Sequence, residues 1–180
     1  IKSSFDVTAG YDYQYWKSTT PLYSEMNTLG EIQKTSKASD ERHVLLSYYG
    51  RLNYSFNSRY MLTTTVRRDA TSRFAKNVRW GTFPSVALGW RVTEESFLKD
   101  NKVISTLKVR ASYGVTGQQD GIGNYNYLPI YTISQSGAGS LIGGTPTPTY
   151  RPKAYVPNLK WETTTSWNVG FDFGFLKDRI

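Results

Sequence analysis

The residues that could do chemistry are few, and their spacing assembles no catalytic set. His43 is the one histidine and there is no cysteine. Thiolate nucleophiles, disulfide frameworks and cysteine metal sites are thereby removed, and zinc is left without its usual ligands. No serine and carboxylate frame His43 as a relay, so it reads as a solvated side chain at a strand start on a polar face. Glu94 and Glu95 are neighbours whose side chains diverge; a helix start explains them better than a paired acid and base. Asp120-Gly121 lacks the alternating acidic ladder of a calcium loop. Gly121-Ile122-Gly123 lacks the third glycine and the strand-to-helix unit of a dinucleotide site. Asn53-Tyr54-Ser55 has the form of a glycosylation acceptor but falls inside an expected strand. These residues predict no enzyme, no catalytic group, no metal and no cofactor.

A second group of side chains could bind rather than react. Tyr125, Tyr127, Tyr131, Tyr150 and Tyr155 lie in one long Gly- and Pro-punctuated stretch. Each offers an apolar ring with a hydroxyl at its edge, suited to stacking on a sugar ring or packing on a partner, although loop-on-loop packing uses the same rings. Arg67, Arg68, Arg73, Lys76 and Arg79, interleaved with Phe74 and Trp80, imitate a nucleic-acid patch. They fall on an expected loop with no binding fold around it, so no nucleic acid is expected.

The elements that must position these residues are strands. The chain has 180 residues, enough for one domain or part of a larger one, and 15% are aromatic against 38% hydrophobic overall. That composition argues against one large aliphatic core. No apolar run approaches the ~18 residues of a membrane helix, which does not exclude a membrane barrel whose strands alternate faces. The net charge of +8 is spread along the whole chain and favours anionic surfaces only weakly. The chain starts at Ile1 without a signal-peptide pattern, and the true amino terminus is expected to lie outside it.

Between Phe5 and Trp16 the odd positions carry Phe5, Val7, Ala9, Tyr11, Tyr13 and Tyr15, and the even ones Asp6, Thr8, Gly10, Asp12 and Gln14. The same period of two recurs around Leu52, Val66, Leu88, Val109 and Phe171 and predicts strands over 3–16, 42–56, 60–68, 83–92, 107–114 and 162–174. Mid-strand charges at Arg51, Lys108, Arg110 and Asp172 require water or a hydrated interior on one side. The other side needs lipid or a core. The first window would span ~35 Å along the strand and, tilted, ~25 Å in height, the depth of an outer-membrane apolar band. Tyr11, Tyr13 and Tyr15 then suit an interfacial girdle, and Trp16 beyond them a membrane anchor. A soluble sandwich also alternates, with shorter strands of about 5–6 residues.

Loop lengths alternate. Asn57-Ser58-Arg59 and 174–179 read as tight turns, and 93–106 shares their side with a short helix expected over 94–99, capped by Thr93. The opposite side receives 17–40, 69–80 and 115–160, which in a bacterial barrel would be extracellular.

Ordered motifs then carry a resemblance. Arg51-Leu52-Asn53-Tyr54, Asn57-Ser58-Arg59-Tyr60-Met61-Leu62-Thr63, Arg67-Arg68-Asp69, Ser72-Arg73-Phe74 and Arg79-Trp80-Gly81-Thr82-Phe83-Pro84-Ser85 are followed by Gly89-Trp90-Arg91. Leu107-Lys108-Val109-Arg110-Ala111-Ser112-Tyr113-Gly114, Thr116-Gly117, Asn158-Leu159-Lys160-Trp161-Glu162 and Asn168-Val169-Gly170 come next. From residue 42 to 180 the chain resembles the barrel of SusC/RagA-type TonB-dependent transporters of the Bacteroidetes outer membrane, with Ala70 standing where that family commonly has glycine.

The resemblance implies an all-β fold: antiparallel strands forming part of a 22-stranded transmembrane β-barrel, with long extracellular loops and short periplasmic turns. It implies a plug domain and TonB box, neither visible in these 180 residues; six strands cannot close a barrel whose smallest usual number is eight, so an internal piece of the barrel wall is expected. It also implies TonB-driven import of oligosaccharide, or of peptide in some members, with a SusD-like surface lipoprotein as lid. Arg51, Asn53, Arg110, Asn168 and Asp172 would line the lumen or grip the plug. The loop tyrosines would meet lid or substrate, and the basic rim would meet loop carboxylates or anionic lipopolysaccharide. A secreted all-β carbohydrate-binding module with a tyrosine platform is the alternative; it would fold alone in buffer, whereas an isolated barrel wall would aggregate.

Overall fold

A computed structural model describes residues 2–99, 101, 103–133 and 139–176. In chain order the strands are β1 (Ser3–Thr20), β2 (Tyr23–Met26), β3 (Ile32–Ser36), β4 (Ser39–Phe56), β5 (Tyr60–Thr71), β6 (Trp80–Arg91), β7 (Ile104–Gln118), β8 (Tyr131–Ile133), β9 (Ser140–Ile142), β10 (Thr145–Thr147), β11 (Tyr150–Pro152) and β12 (Glu162–Phe175). Six of them form one sheet in the order β1-β4-β5-β6-β7-β12, with every neighbouring pair antiparallel. The short strands pair off within the long connections, as β2 with β3, β8 with β11 and β9 with β10.

Residues directly opposite one another in an antiparallel ladder project to the same face, so the register sorts the side chains. Phe5, Tyr54, Leu62, Leu88, Ala111 and Val169 form one lateral row, and Val7, Leu52, Thr64, Val86, Tyr113 and Trp167 form another. On the opposite face the corresponding rows are Asp6, Asn53, Thr63, Ala87, Ser112 and Asn168, and Thr8, Arg51, Thr65, Ser85, Gly114 and Ser166. One face is apolar and the other polar across all six strands. The apolar one is uncovered: Leu88 at mid-sheet is 57% exposed and Trp167 75%.

The β4–β5 turn is closed by the Arg59 amide on the Phe56 carbonyl at 2.9 Å. Its central residues Asn57 (φ 48°) and Ser58 (φ 56°) are both left-handed, the backbone that matches the twist of flanking strands. The sheet strands overrun the alternating windows at the opposite end, where β1 continues to Thr20, β4 begins at Ser39 and β5 reaches Thr71. Lys17-Ser18-Thr19-Thr20 has no hydrophobic alternation, yet ladder bonds use only the backbone and persist. The helix expected over 94–99 is not formed. A 3-10 helix covers Val92–Glu94 with Thr93 inside it, and turns closed on the Glu95 carbonyl by the amides of Leu98 and Lys99 follow. Residues 177–179 of the expected 174–179 turn lie outside the described residues.

Fixed packing is concentrated at the end with the long connections. Phe74, fully buried between β5 and β6, meets Trp161 edge-on at 5.5 Å, and Phe83 meets the same indole at 5.3 Å. The Trp161 Nε1 donates to the Arg79 carbonyl at 3.0 Å, and the Val44 amide donates to Ser72 Oγ at 2.9 Å. Glycine makes this cluster possible, because a β-carbon at Gly117 would overlap the Phe83 ring. Gly117→Ala is therefore expected to cost about 1–3 kcal/mol through forced displacement of that ring. Gly50→Ala, with nothing within 4 Å of the added carbon, serves as the neutral control in thermal unfolding of the detergent-solubilised protein.

Candidate functional site

Arg51, Asn53, Arg110, Asn168 and Asp172 all fall on the polar face. Asn53 sits between two partners, donating to Asp6 Oδ1 at 3.2 Å and accepting from Thr63 Oγ1 at 2.9 Å. Arg51 Nε donates to Thr65 Oγ1 at 3.3 Å. Arg110 Nη2 reaches Asp172 Oδ1 at 2.7 Å across β7 and β12, and Asn168 stands opposite Ser112. The Arg110–Asp172 side chains remain 56% and 40% exposed. Exposed pairs of this kind contribute about 0–1 kcal/mol, so strand stability does not account for charges placed here.

At the loop end the same face gains fixed polar groups. Arg67 Nε holds both Asp69 oxygens at 2.8 and 2.9 Å, and its Nη2 donates to Ser47 Oγ at 2.8 Å. Arg73 ties down the 119–124 segment, donating to Asn124 Oδ1 at 3.2 Å and to the Gln119 carbonyl at 3.1 Å. Asn124 in turn donates to Glu41 Oε2 at 3.1 Å.

The loop tyrosines are not brought into one site. Tyr131 on β8 and Tyr150 on β11 are each about two-thirds exposed, Tyr155 is exposed in the following segment, and Tyr127 is half-buried. Tyr125 folds back to the wall, its hydroxyl accepting from the Arg42 amide at 3.2 Å. No ring contact joins any two of these tyrosines among the described residues.

Two residues depart from expectation together. Trp16 is not on the apolar face with Tyr11, Tyr13 and Tyr15; its cross-strand partner is His43, and both share the polar face with Asp12 and Gln14. Their rings lie parallel, 6° apart in plane, with centroids 4.1 Å apart. His43 is accordingly half-buried against an indole rather than solvated. Trp16 keeps 41% of its surface open, giving a flat aromatic platform beside Glu41, which pairs with Ser18 on the same face. Its even position in the ladder was the available signal.

Glu95, beyond the opposite end of the sheet, gathers three side chains. The Tyr60 hydroxyl donates to Oε1 at 2.6 Å, Trp90 Nε1 donates to the same oxygen at 3.1 Å, and Arg59 Nη1 reaches Oε2 at 3.3 Å. The Tyr60 bond first, then the Trp90 bond and the Arg59 charge, hold this carboxyl below the ordinary glutamate range. A helix start does not account for Glu95; it fastens two rings of the apolar face to the connection after β6.

A continuous antiparallel wall with one apolar and one polar face is the pattern of a membrane β-barrel segment. The family described as TonB dependent receptor-like, beta-barrel matches residues 2–180, and the chain belongs to it. Over 189 aligned positions the chain is 55% identical to TonB-dependent receptor SusC of Bacteroides thetaiotaomicron, covering 99% of this chain and 18% of that protein. TonB-dependent receptor P39 of Formosa agariphila is 32% identical over 96% of the chain and 17% of its own length. Among solved structures, the RagAB peptide transporter superposes with a TM-score of 0.78 at 23% identity, over 99% of this chain and 20% of that one. The open-open state of the RagAB peptide importer gives 0.79 at 24%, over 98% and 20%. The chain thus spans about a fifth of the proteins it matches, and the SusC/RagA resemblance carried by the motifs is shown.

Glu95 yields a pH-dependent expectation. Because its folded value is depressed, its contribution is complete above the unfolded glutamate value of ~4.3 and is lost as pH falls through the lower folded value. Glu95→Gln is expected to lower the unfolding temperature at pH 7, and the gap to wild type should narrow as the medium is acidified below pH ~4. A gap independent of pH would remove the carboxylate from that role.

Proposed function

We propose that this chain is part of the wall of an outer-membrane importer that takes up oligosaccharide, energised through TonB and working with a SusD-like surface lipoprotein. The observation that carries the reading is the division of six strands into one apolar and one polar face in a chain so close to SusC. The apolar face meets lipid. Between Tyr60 and Arg68 on β5 the chain rises ~26 Å along the strand and ~20 Å in height once tilted, near the ~25 Å apolar band of such barrels. Tyr60, Trp90 and Phe171 mark the turn end of that band, and Tyr11, Tyr48 and Trp80 the loop end.

The polar face then borders the lumen, where Arg51, Asn53, Arg110, Asn168 and Asp172 meet water or a plug supplied by an amino-terminal region, which also reaches TonB. Their exposed, weakly stabilising pairs suit a surface that exchanges partners. The long connections lie outside the cell, and Tyr125, Tyr127, Tyr131, Tyr150 and Tyr155 face the lipoprotein lid or the substrate. Oligosaccharide is favoured by the Trp16–His43 platform, whose open indole face suits a sugar ring's C–H surface. The Asp12, Gln14 and Glu41 side chains around it supply acceptors and a donor for hydroxyls.

The test is uptake by cells that carry the full-length transporter. Trp16→Ala is expected to lower uptake of a labelled oligosaccharide about three- to tenfold, the worth of one aromatic contact, while the heat-modifiable outer-membrane band stays at its wild-type level. A soluble or secreted product near 20.5 kDa would overturn the importer and favour a secreted binding module. Loss of oligopeptide uptake with sugar uptake intact would reassign the substrate.

A further inference from the structure

We infer that the apolar face carries a binding site for the phosphate of an outer-leaflet lipid, centred on Arg68. Arg67 and Arg68 are consecutive on β5 and so project to opposite faces. Arg67 is neutralised on the polar face by Asp69. Arg68 lies on the apolar face, opposite Tyr48 of β4 and Thr82 of β6, and it is exposed. Among the described residues its side chain makes neither an ion pair nor a hydrogen bond.

What it does touch is aromatic. Its guanidinium carbon lies 5.1 Å from the centre of the Trp80 ring, and that indole stacks on Tyr48 with centroids 6.1 Å apart. Tyr11 is the next residue along the row. A cation over an indole satisfies the flat face of the guanidinium and leaves its N–H edge free. An unpaired charge at the border of an apolar layer is costly unless it finds a counter-ion. Phosphate and carboxylate oxygens both match the Arg fork, and at the depth of an aromatic girdle the abundant anion of that kind is the lipid phosphate.

The next charges on this face towards the loop end are also net positive. Lys17 and Arg42 face one another on this face, nearer the loop end, and share the single carboxylate of Asp40 at 3.6 and 2.7 Å. That triad is net positive but lies six residues further along β1 and β4, ~20 Å from the Arg68 row, so Arg68 is the cation level with Tyr48 and Tyr11. The face is completed by an anionic lipid headgroup on the free N–H edge of Arg68, beside the rings, with the acyl chains lying along Val66, Val86 and Leu88.

This site rests on the outer-membrane reading, and the test separates the two. The full-length transporter is purified in detergent, exposed to phosphatidic acid, phosphatidylcholine or inorganic phosphate, and its retained lipids are counted by native mass spectrometry. Wild type is expected to retain phosphatidic acid in preference to phosphatidylcholine. Arg68→Gln should reduce that preference about fivefold, as expected for loss of a charge-assisted bidentate pair, Arg68→Lys should keep part of it, and Trp80→Phe should weaken it. An unchanged preference in Arg68→Gln overturns the site, as does displacement of the lipid by millimolar inorganic phosphate. If the protein never enters detergent micelles or the outer-membrane fraction, the importer reading fails instead.

Discussion

The structure depends on the pairing of every mid-sheet backbone amide and carbonyl with the neighbouring strand. In a layer without water no other partner exists for those groups, and only a continuous ladder satisfies them. Because side chains alternate faces with a period of two, the ladder also fixes which residues meet lipid and which meet water. A slip of one residue between β4 and β5 would send Arg51, Asn53 and Ser55 outward and Leu52, Tyr54 and Phe56 inward. The left-handed pair Asn57 and Ser58 holds that register at the turn, and the consecutive Arg67 and Arg68 record it at the far end.

A sheet wetted on one face and greased on the other has no interior of its own. Among the described residues, the largest completely buried side chains, Phe74, Thr71 and Ser47, belong to the loop end. There the connection between β5 and β6 folds over the strand ends and is held by Trp161, which arrives from the far side of the long connection before β12. Rigidity thus collects where connections must keep a fixed shape, while the strand centres rely on the ladder. Fixed shape at that end is what gives Trp16, His43, Arg73 and Asn124 defined places relative to one another.

The strands were legible because alternation is a local signal. It is clear from Phe5 to Tyr15 and from Val44 to Phe56 and fades where Lys17-Ser18-Thr19-Thr20 keeps pairing without it, so the strand ends were not. Trp16 is instructive in another way: its even position placed it with Asp12 and Gln14, while its nearness to the tyrosine ladder suggested an anchor. Parity decides, because a side chain cannot change faces without a bulge, and the β1–β4 register has none. The Phe74–Trp161 contact joins residues far apart in sequence, and no local period encodes such a meeting. At Glu95 the acidic pair resembled a helix start, whereas the carboxylate is claimed by Tyr60, Trp90 and Arg59 from other parts of the fold.

The uncovered faces and open edges constrain what surrounds this wall. Phe171, Phe173 and Phe175 stack along β12 with centroids 6.1 and 6.4 Å apart, and on β1 Phe5, Val7, Tyr11 and Tyr13 are exposed. Apolar faces of this extent are not tolerated by monomers in water, and within a bilayer the open edges of β1 and β12 are satisfied by flanking strands. Lipid satisfies the first demand without any specific contact, since acyl chains ask only for apolar surface. The edges demand register. The same alternation that sorts this wall into two faces must therefore continue in whatever strands flank it, and one misplaced parity would put a charge such as Arg51 or Asp172 into hydrocarbon.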